Sequence, residues 1–138
     1  MRRAGEWLAI AGVCVTLLLV GNACFYSWVT NPRVIRELHE EPDGQRAQKV
    51  MLLTLPSGAS RPVNYLREGD TVYAAADFPW WRELRDGGGR GSVLIRGETL
   101  HGQIRAELDD AALRDAVFQR LRPSAPRWAG TLIVIELD

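Results

Sequence analysis

Two short stretches hold the residue types from which a ligand site can be built. The first is Phe78-Pro79-Trp80-Trp81-Arg82-Glu83-Leu84-Arg85. On a helix Trp81 lies beside Leu84 and Arg85, and Trp80 beside Leu84, so one face covers a core while Arg82 or Arg85 reaches outward. Two indoles flanked by arginines suit a flat ring carrying an anionic tail. Plugging a core explains the same tryptophans. The second stretch runs from Leu53 to Arg67. A strand that opens into Ser57-Gly58 exposes backbone N–H groups and a hydroxyl, the makings of an anion nest, and Arg61 adds positive charge close by. An ordinary hairpin turn accounts for these residues equally well.

Other chemistry is not supplied. His39 and His101 are far apart in sequence, and the two cysteines, Cys14 and Cys24, lie in an apolar stretch, so no zinc site is expected. Ten residues apart on one helix, those cysteines would be ~15 Å apart, too far to bridge. Ser57 lacks the G-x-S-x-G frame of a nucleophile elbow. Gly87 to Gly91 has neither the spacing of a dinucleotide fingerprint nor the lysine of a P-loop, and reads as a flexible loop. The carboxylates fall in turns, caps and wet faces. Any chemistry would therefore come from a bound cofactor. The chain is electrically neutral, with 17 basic and 17 acidic residues among 138. From Lys49 onward the count is 12 against 12. No bulk attraction to nucleic acid is expected, and five tryptophans among many aliphatics argue against disorder.

The elements that must position these residues are mostly strands. Val50 to Leu55 is a continuous apolar run, as for a strand covered on both faces. Val63 to Arg67 and Thr71 to Ala75 form a hairpin around Glu68-Gly69-Asp70, and Ser92 to Arg96 and Thr99 to Leu108 form another around Gly97-Glu98. In the last of these, Leu100, Gly102, Ile104, Ala106 and Leu108 alternate with polar residues, which predicts one buried and one wet face. Thr131 to Leu137 is an apolar closing strand. Two helices interrupt them: Trp80 to Arg85, and a longer one capped by Asp109 or Asp110 and running to Leu121. Leu113, Val117 and Leu121 make its stripe, and Asp110 and Arg114 an i,i+4 pair. The pattern predicts a mainly β (α+β) fold, a small barrel of about six antiparallel strands with two short helices.

Ahead of the barrel, Trp7 to Pro32 holds no charged residue. Trp7 to Val29 would be roughly 35 Å as a helix, enough to span a bilayer, with Trp7 at one interface and Tyr26 and Trp28 at the other. Asn22 is its one strongly polar residue. An uncleaved anchor is the first reading. A cleaved signal at Gly21-Asn22-Ala23 and a lipoprotein at Cys24 are the alternatives. Arg33, Arg36, Arg46 and Lys49 against Arg2 and Arg3 lean toward a cytoplasmic C-terminal domain. Residues 31–48 read as a polar tether, with a short helix at Pro32 to His39 ended by Pro42-Asp43-Gly44. The organisation expected is therefore an anchor at 1–30, a tether at 31–48 and a barrel at 49–138.

In order along the chain, Leu52-Leu53-Thr54, Ser57-Gly58, Arg61-Pro62, Asn64-Tyr65-Leu66-Arg67-Glu68-Gly69-Asp70, Trp80-Trp81-Arg82-Glu83-Leu84-Arg85 and Ile133-Val134-Ile135-Glu136-Leu137 resemble the deazaflavin-dependent nitroreductase-like (quinone reductase-like) family of split β-barrels. The resemblance covers roughly Lys49 to Asp138. It implies bound coenzyme F420, or FMN as the alternative flavin, passing a hydride to a quinone or nitro-type acceptor. It further implies that Ser57, Gly58 and Arg61 hold the phosphate tail, that Asn64 and Tyr65 line the ring pocket, and that Trp80 and Trp81 shape one wall. Arg82 or Arg85 would anchor the tail or the acceptor. Split barrels of this type also pair, which implies a homodimer. The chain has Leu55-Pro56 where members carry a basic residue before Ser-Gly. That departure motivates the alternative function, a cofactor-free barrel serving as an interaction module at the membrane.

Overall fold

The computed structural model describes residues 2–25, 31–126 and 128–138. They divide into two compact units, Met1–Val34 and Ile35–Asp138. The first is dominated by helix α1 (Arg2–Phe25), about 36 Å long at 1.5 Å per residue. Gly5–Asn22 has a mean hydropathy of 1.6 and none of it is buried. This helix is long and apolar enough to cross a membrane. Trp7, Leu8 and Leu17 to Leu19 all stand exposed on it. Thr16 Oγ1 donates to the Gly12 carbonyl at 2.9 Å, so its hydroxyl proton is satisfied within the helix. Cys14 is a free thiol. Tyr26 and Trp28, the expected second aromatic belt, lie outside the described residues.

Helix α2 (Asn31–Glu40) crosses the division and is one residue longer at each end than expected. Turns follow it. Gly44 N–H donates to the Glu41 carbonyl at 3.0 Å, and Arg46 Nε reaches back to Glu37 at 2.8 Å.

The rest of the second unit is a closed barrel. Its strands are β1 (Val50–Thr54), β2 (Ser60–Glu68), β3 (Thr71–Ala76), β4 (Gly89–Ile95), β5 (Glu98–Glu107) and β6 (Thr131–Leu137). A 3-10 helix, Pro79–Leu84, lies between β3 and β4, and helix α3 (Ala111–Leu121) between β5 and β6. The order around the barrel is β1-β2-β3-β6-β5-β4, and every pairing is antiparallel. The expected six-stranded fold is the one observed.

Strand alternation accounts for the core. Met51 and Leu53, Val72 and Ala74, Val93 and Ile95, Ile104, and Ile133 and Ile135 point inward and fill the barrel. The closing strand β6 is apolar on both faces for a reason. Its other side, Leu132 and Val134, is covered by Val117 and Phe118 of α3, with Leu113 and Leu121 packed against them. The β4–β5 turn places Arg96 at φ 49° and Gly97 at φ 82°, the two positive values that a tight two-residue hairpin requires.

Three expectations are corrected. The glycine-rich segment is not a free loop: Gly89 and Gly91 are already within β4. A Cβ on Gly91 would lie 2.3 Å from the Thr54 carbonyl oxygen, so the seam between β4 and β1 closes only around glycine. Strand β5 ends at Glu107, leaving Leu108 half exposed, because the chain turns there into α3. The Asp110–Arg114 pair does not form. Asp110 caps α3 instead, its Oδ1 accepting the Leu113 N–H at 2.9 Å, and Arg114 contacts Asp115 at 3.3 Å. A carboxylate engaged by the first turn's backbone is turned away from a side chain one turn on.

Candidate functional site

The two stretches singled out by residue type meet at one end of the barrel. The segment after β3 starts its helix at Pro79, whose fixed φ suits a first position. It runs as a 3-10 helix over Pro79–Leu84, rather than as an α-helix over 80–85. At three residues per turn, residues i and i+3 fall on one edge. This produces three edges with different fates. Trp81 and Leu84 face the core: Leu84 is fully buried and Trp81 packs on the barrel cluster. Arg82 and Arg85 are exposed. Trp80 and Glu83 share the third edge, and that edge meets the β1–β2 turn.

Glu83 takes both donors of Ser57. The backbone N–H donates to Oε2 at 3.2 Å and the hydroxyl to Oε1 at 3.0 Å. Gly58 sits at φ 90°, a left-handed conformation for which glycine is suited, and its N–H donates to the Leu55 carbonyl at 2.8 Å. Thr54 and Ser60 hydroxyls lie 2.9 Å apart across the base of the same turn. Arg61 stands within β2, not in the turn, and its guanidinium lies over the Trp80 ring, 5.6 Å from the centroid. Its Nε is buried with no hydrogen-bond partner among the described residues. Arg85 lies over Trp81 at 5.3 Å. Each tryptophan is therefore packed on the core from one side and stacked by an arginine, a cation–π arrangement. The indoles close the barrel, as the core reading of the pair expects, and arginines lie over their rings. Glu83 carried no signal in the sequence beyond its place three residues after Trp80.

The two residues expected to share a pocket both line one shallow groove, with their side chains on opposite faces of β2. Tyr65 faces the barrel cluster, and its hydroxyl donates to the Ala47 carbonyl at 3.2 Å. Burial pushes its phenol above the ordinary range, with Arg96 and then Arg67 acting against the rise. Asn64, its neighbour on β2, is exposed on the opposite face. It lines a shallow groove of about 310 Å³ with Gln48, Lys49, Tyr65, Leu66, Arg120 and Leu121. Adjacent residues of a strand point to opposite sides, so Asn64 belongs to the α3 side and not to the tryptophan wall.

No family model matches the chain, and no curated protein matches it in sequence. Solved structures do. A Listeria innocua protein provisionally named a pyridoxamine 5'-phosphate oxidase aligns over 78% of this chain and 92% of its own, at 16% identity and a TM-score of 0.55. The General Stress Protein 26 of Bacillus anthracis aligns over 75% and 88% at 18% identity, with a TM-score of 0.44. A Bacteroides thetaiotaomicron protein provisionally named for 5-nitroimidazole antibiotic resistance aligns over 67% and 75% at 11% identity, with a TM-score of 0.42. The first likeness places the barrel in the split-barrel fold. The other two are too loose to argue from.

The fit to a flavin-type cofactor is divided. The arginine-stacked tryptophans and the orphaned Nε of Arg61 suit a planar, anionic ligand. The Ser57 turn does not suit its phosphate as it stands, because a carboxylate already holds both donors.

Proposed function

We propose that this chain is a membrane-anchored split-barrel oxidoreductase of the flavin or deazaflavin type, acting on a lipophilic small-molecule acceptor such as a quinone or nitro compound. The observation that carries the reading is the meeting of the Ser57–Arg61 segment with the Trp80–Glu83 edge. The resemblance assigns those segments, about 20 residues apart in sequence, to one cofactor. F420 is the first candidate and FMN the second. Trp80, Trp81, Arg61 and Arg85 form the wall against which a ring would lie, and Arg82 is an exposed cation beside it. When bound, such a ring supplies hydride transfer. This chain's residues would bind and orient it and exclude water on the tryptophan side. Arrangement as a homodimer, and the barrel on the cytoplasmic side of the bilayer, belong to the same proposal.

A second reading is a cofactor-free barrel that serves as an interaction module at the membrane. Glu83 on the Ser57 donors favours it, as does the position of Asn64 away from the wall. One titration separates the two. The full chain in nanodiscs of zwitterionic lipid is titrated with F420 and with FMN, following cofactor fluorescence. The oxidoreductase reading expects saturable quenching with one of them, weakened at least tenfold by Trp81→Ala. Absence of a saturable change with both cofactors selects the second reading.

A further inference from the structure

Glu83 does at the β1–β2 turn what a bound oxyanion would do. Its two carboxylate oxygens each take one donor of Ser57, the N–H at 3.2 Å and the hydroxyl at 3.0 Å. The placement follows from the helix type. In a 3-10 helix Glu83 lies one turn beyond Trp80 on the same edge, and Trp80 is fixed by packing on the core and by Arg61 stacked over it. The carboxylate is thereby delivered to the turn just before Arg61. Arg61 itself carries a positive charge that no acidic side chain pairs within the described residues, and its Nε is buried without a partner. A two-donor turn, a neighbouring unpaired guanidinium and a carboxylate seated on the donors together describe an anion site occupied from within.

We propose that the Ser57 turn with Arg61 is a binding site for a phosphate-type oxyanion, and that Glu83 is its internal stand-in, which an incoming phosphate must displace. The assignment of the turn as a ligand cradle rests on the functional reading above; the role of Glu83 is additional to it. Glu83 and Ser57 are both exposed, so the internal contact is one that water already competes for and its displacement is inexpensive. A carboxylate tethered in the same molecule competes at a millimolar effective concentration. Weak phosphate binding by the native chain is therefore expected, and tighter binding once the tether is cut.

The test is calorimetric titration of the full chain in zwitterionic nanodiscs with inorganic pyrophosphate. Glu83→Ala is expected to bind severalfold more tightly than the native chain. Adding Ser57→Ala or Arg61→Ala to that variant is expected to abolish the gain. Equal affinity of the native chain and Glu83→Ala overturns the proposal, as does a gain that survives both second substitutions. Should Glu83→Ala not fold, Glu83→Gln decides: it keeps the side-chain volume and one acceptor for Ser57 and removes the charge. A severalfold gain supports the proposal, and no gain overturns it. F420 and FMN are titrated in parallel. Pyrophosphate binding gained without cofactor binding leaves the internal stand-in intact while the oxidoreductase reading fails. Cofactor binding that is equally tight in the native chain and in Glu83→Ala does the reverse.

Discussion

Glu107 closes β5 and opens the turn into α3, and its hydrogen bonds favour the charged form against a smaller opposing effect of burial. Arg105 pairs with it, and the N–H groups of Asp109 and Asp110 donate to it at 3.2 and 3.1 Å. The Arg105 hydrogen bond, followed by those backbone donors, holds its carboxyl below the usual carboxylate range. A lowered value in the folded state means stability that is present above the ordinary value, ~4.3, and lost as the pH falls through the lowered one. The urea midpoint should accordingly drop as the pH is taken from about 5 to about 3, and Glu107→Gln should flatten that drop. At neutral pH the same substitution should cost about 1–2 kcal/mol, the worth of hydrogen bonds to a charged acceptor reduced by the partial exposure of Glu107 to solvent. Parallel acid losses in the native chain and the variant would count against Glu107 as the group responsible. Tyr65 has the opposite sign. Its phenol is raised by burial, so the stability it contributes holds below ~10 and declines above it. Tyr65 should give a late phase in tyrosinate absorbance, and Tyr65→Phe should remove it.

The β4–β1 seam and the 3-10 helix are the elements on which the site depends. The strands at the seam approach so closely that Gly91 has no room for a side chain: the added carbon would meet the Thr54 carbonyl at 2.3 Å and Ile104 Cδ1 at 2.4 Å. Gly91→Ala should cost about 1–3 kcal/mol, the usual penalty for overpacking, read as a lower midpoint in denaturant. The helix is anchored by Leu84, which is wholly buried in the barrel cluster. Leu84→Ala should cost about 2–5 kcal/mol. Because Leu84 and Trp81 share an edge while Trp80 and Glu83 share another, loosening Leu84 should also disturb the Ser57 contact, seen as a shift in tryptophan emission. A change in stability with unaltered emission would mean that the edges are uncoupled.

At the scale of the molecule, neutrality removes long-range attraction as a device. The barrel segment from Lys49 carries 12 basic and 12 acidic residues, so any anion is handled by local geometry, with Arg61, Arg82 and Arg85 the cations nearest to the wall. The apolar helix gives the other whole-molecule property. An arginine at the centre of a spanning helix costs about 2.5–3.5 kcal/mol on insertion scales. If α1 anchors the protein as proposed, the native chain should stay in the membrane pellet after alkaline carbonate washing. Leu18→Arg should then lower the fraction retained there. Equal retention of both proteins would mean that α1 is not the anchor.

The sequence by itself determined the strands, their hairpins and the apolar helix. These follow from period-two alternation, turn residues and the absence of charge from Trp7 to Pro32, all of which are local properties. It also marked the Ser57 turn and the tryptophan pair as the places where chemistry would gather, since residue type alone signals hydroxyl donors and flat rings. Which of these meet was decided by the tertiary structure. The 3-10 period sorted Trp80 and Glu83 to one edge and Trp81 and Leu84 to another, and the closed order of strands brought the first edge onto the turn. The same alternation that predicts β2 turned Asn64 away from Tyr65. Glu83 took the place expected for a ligand's charge, a contact across 26 positions that no local pattern encodes.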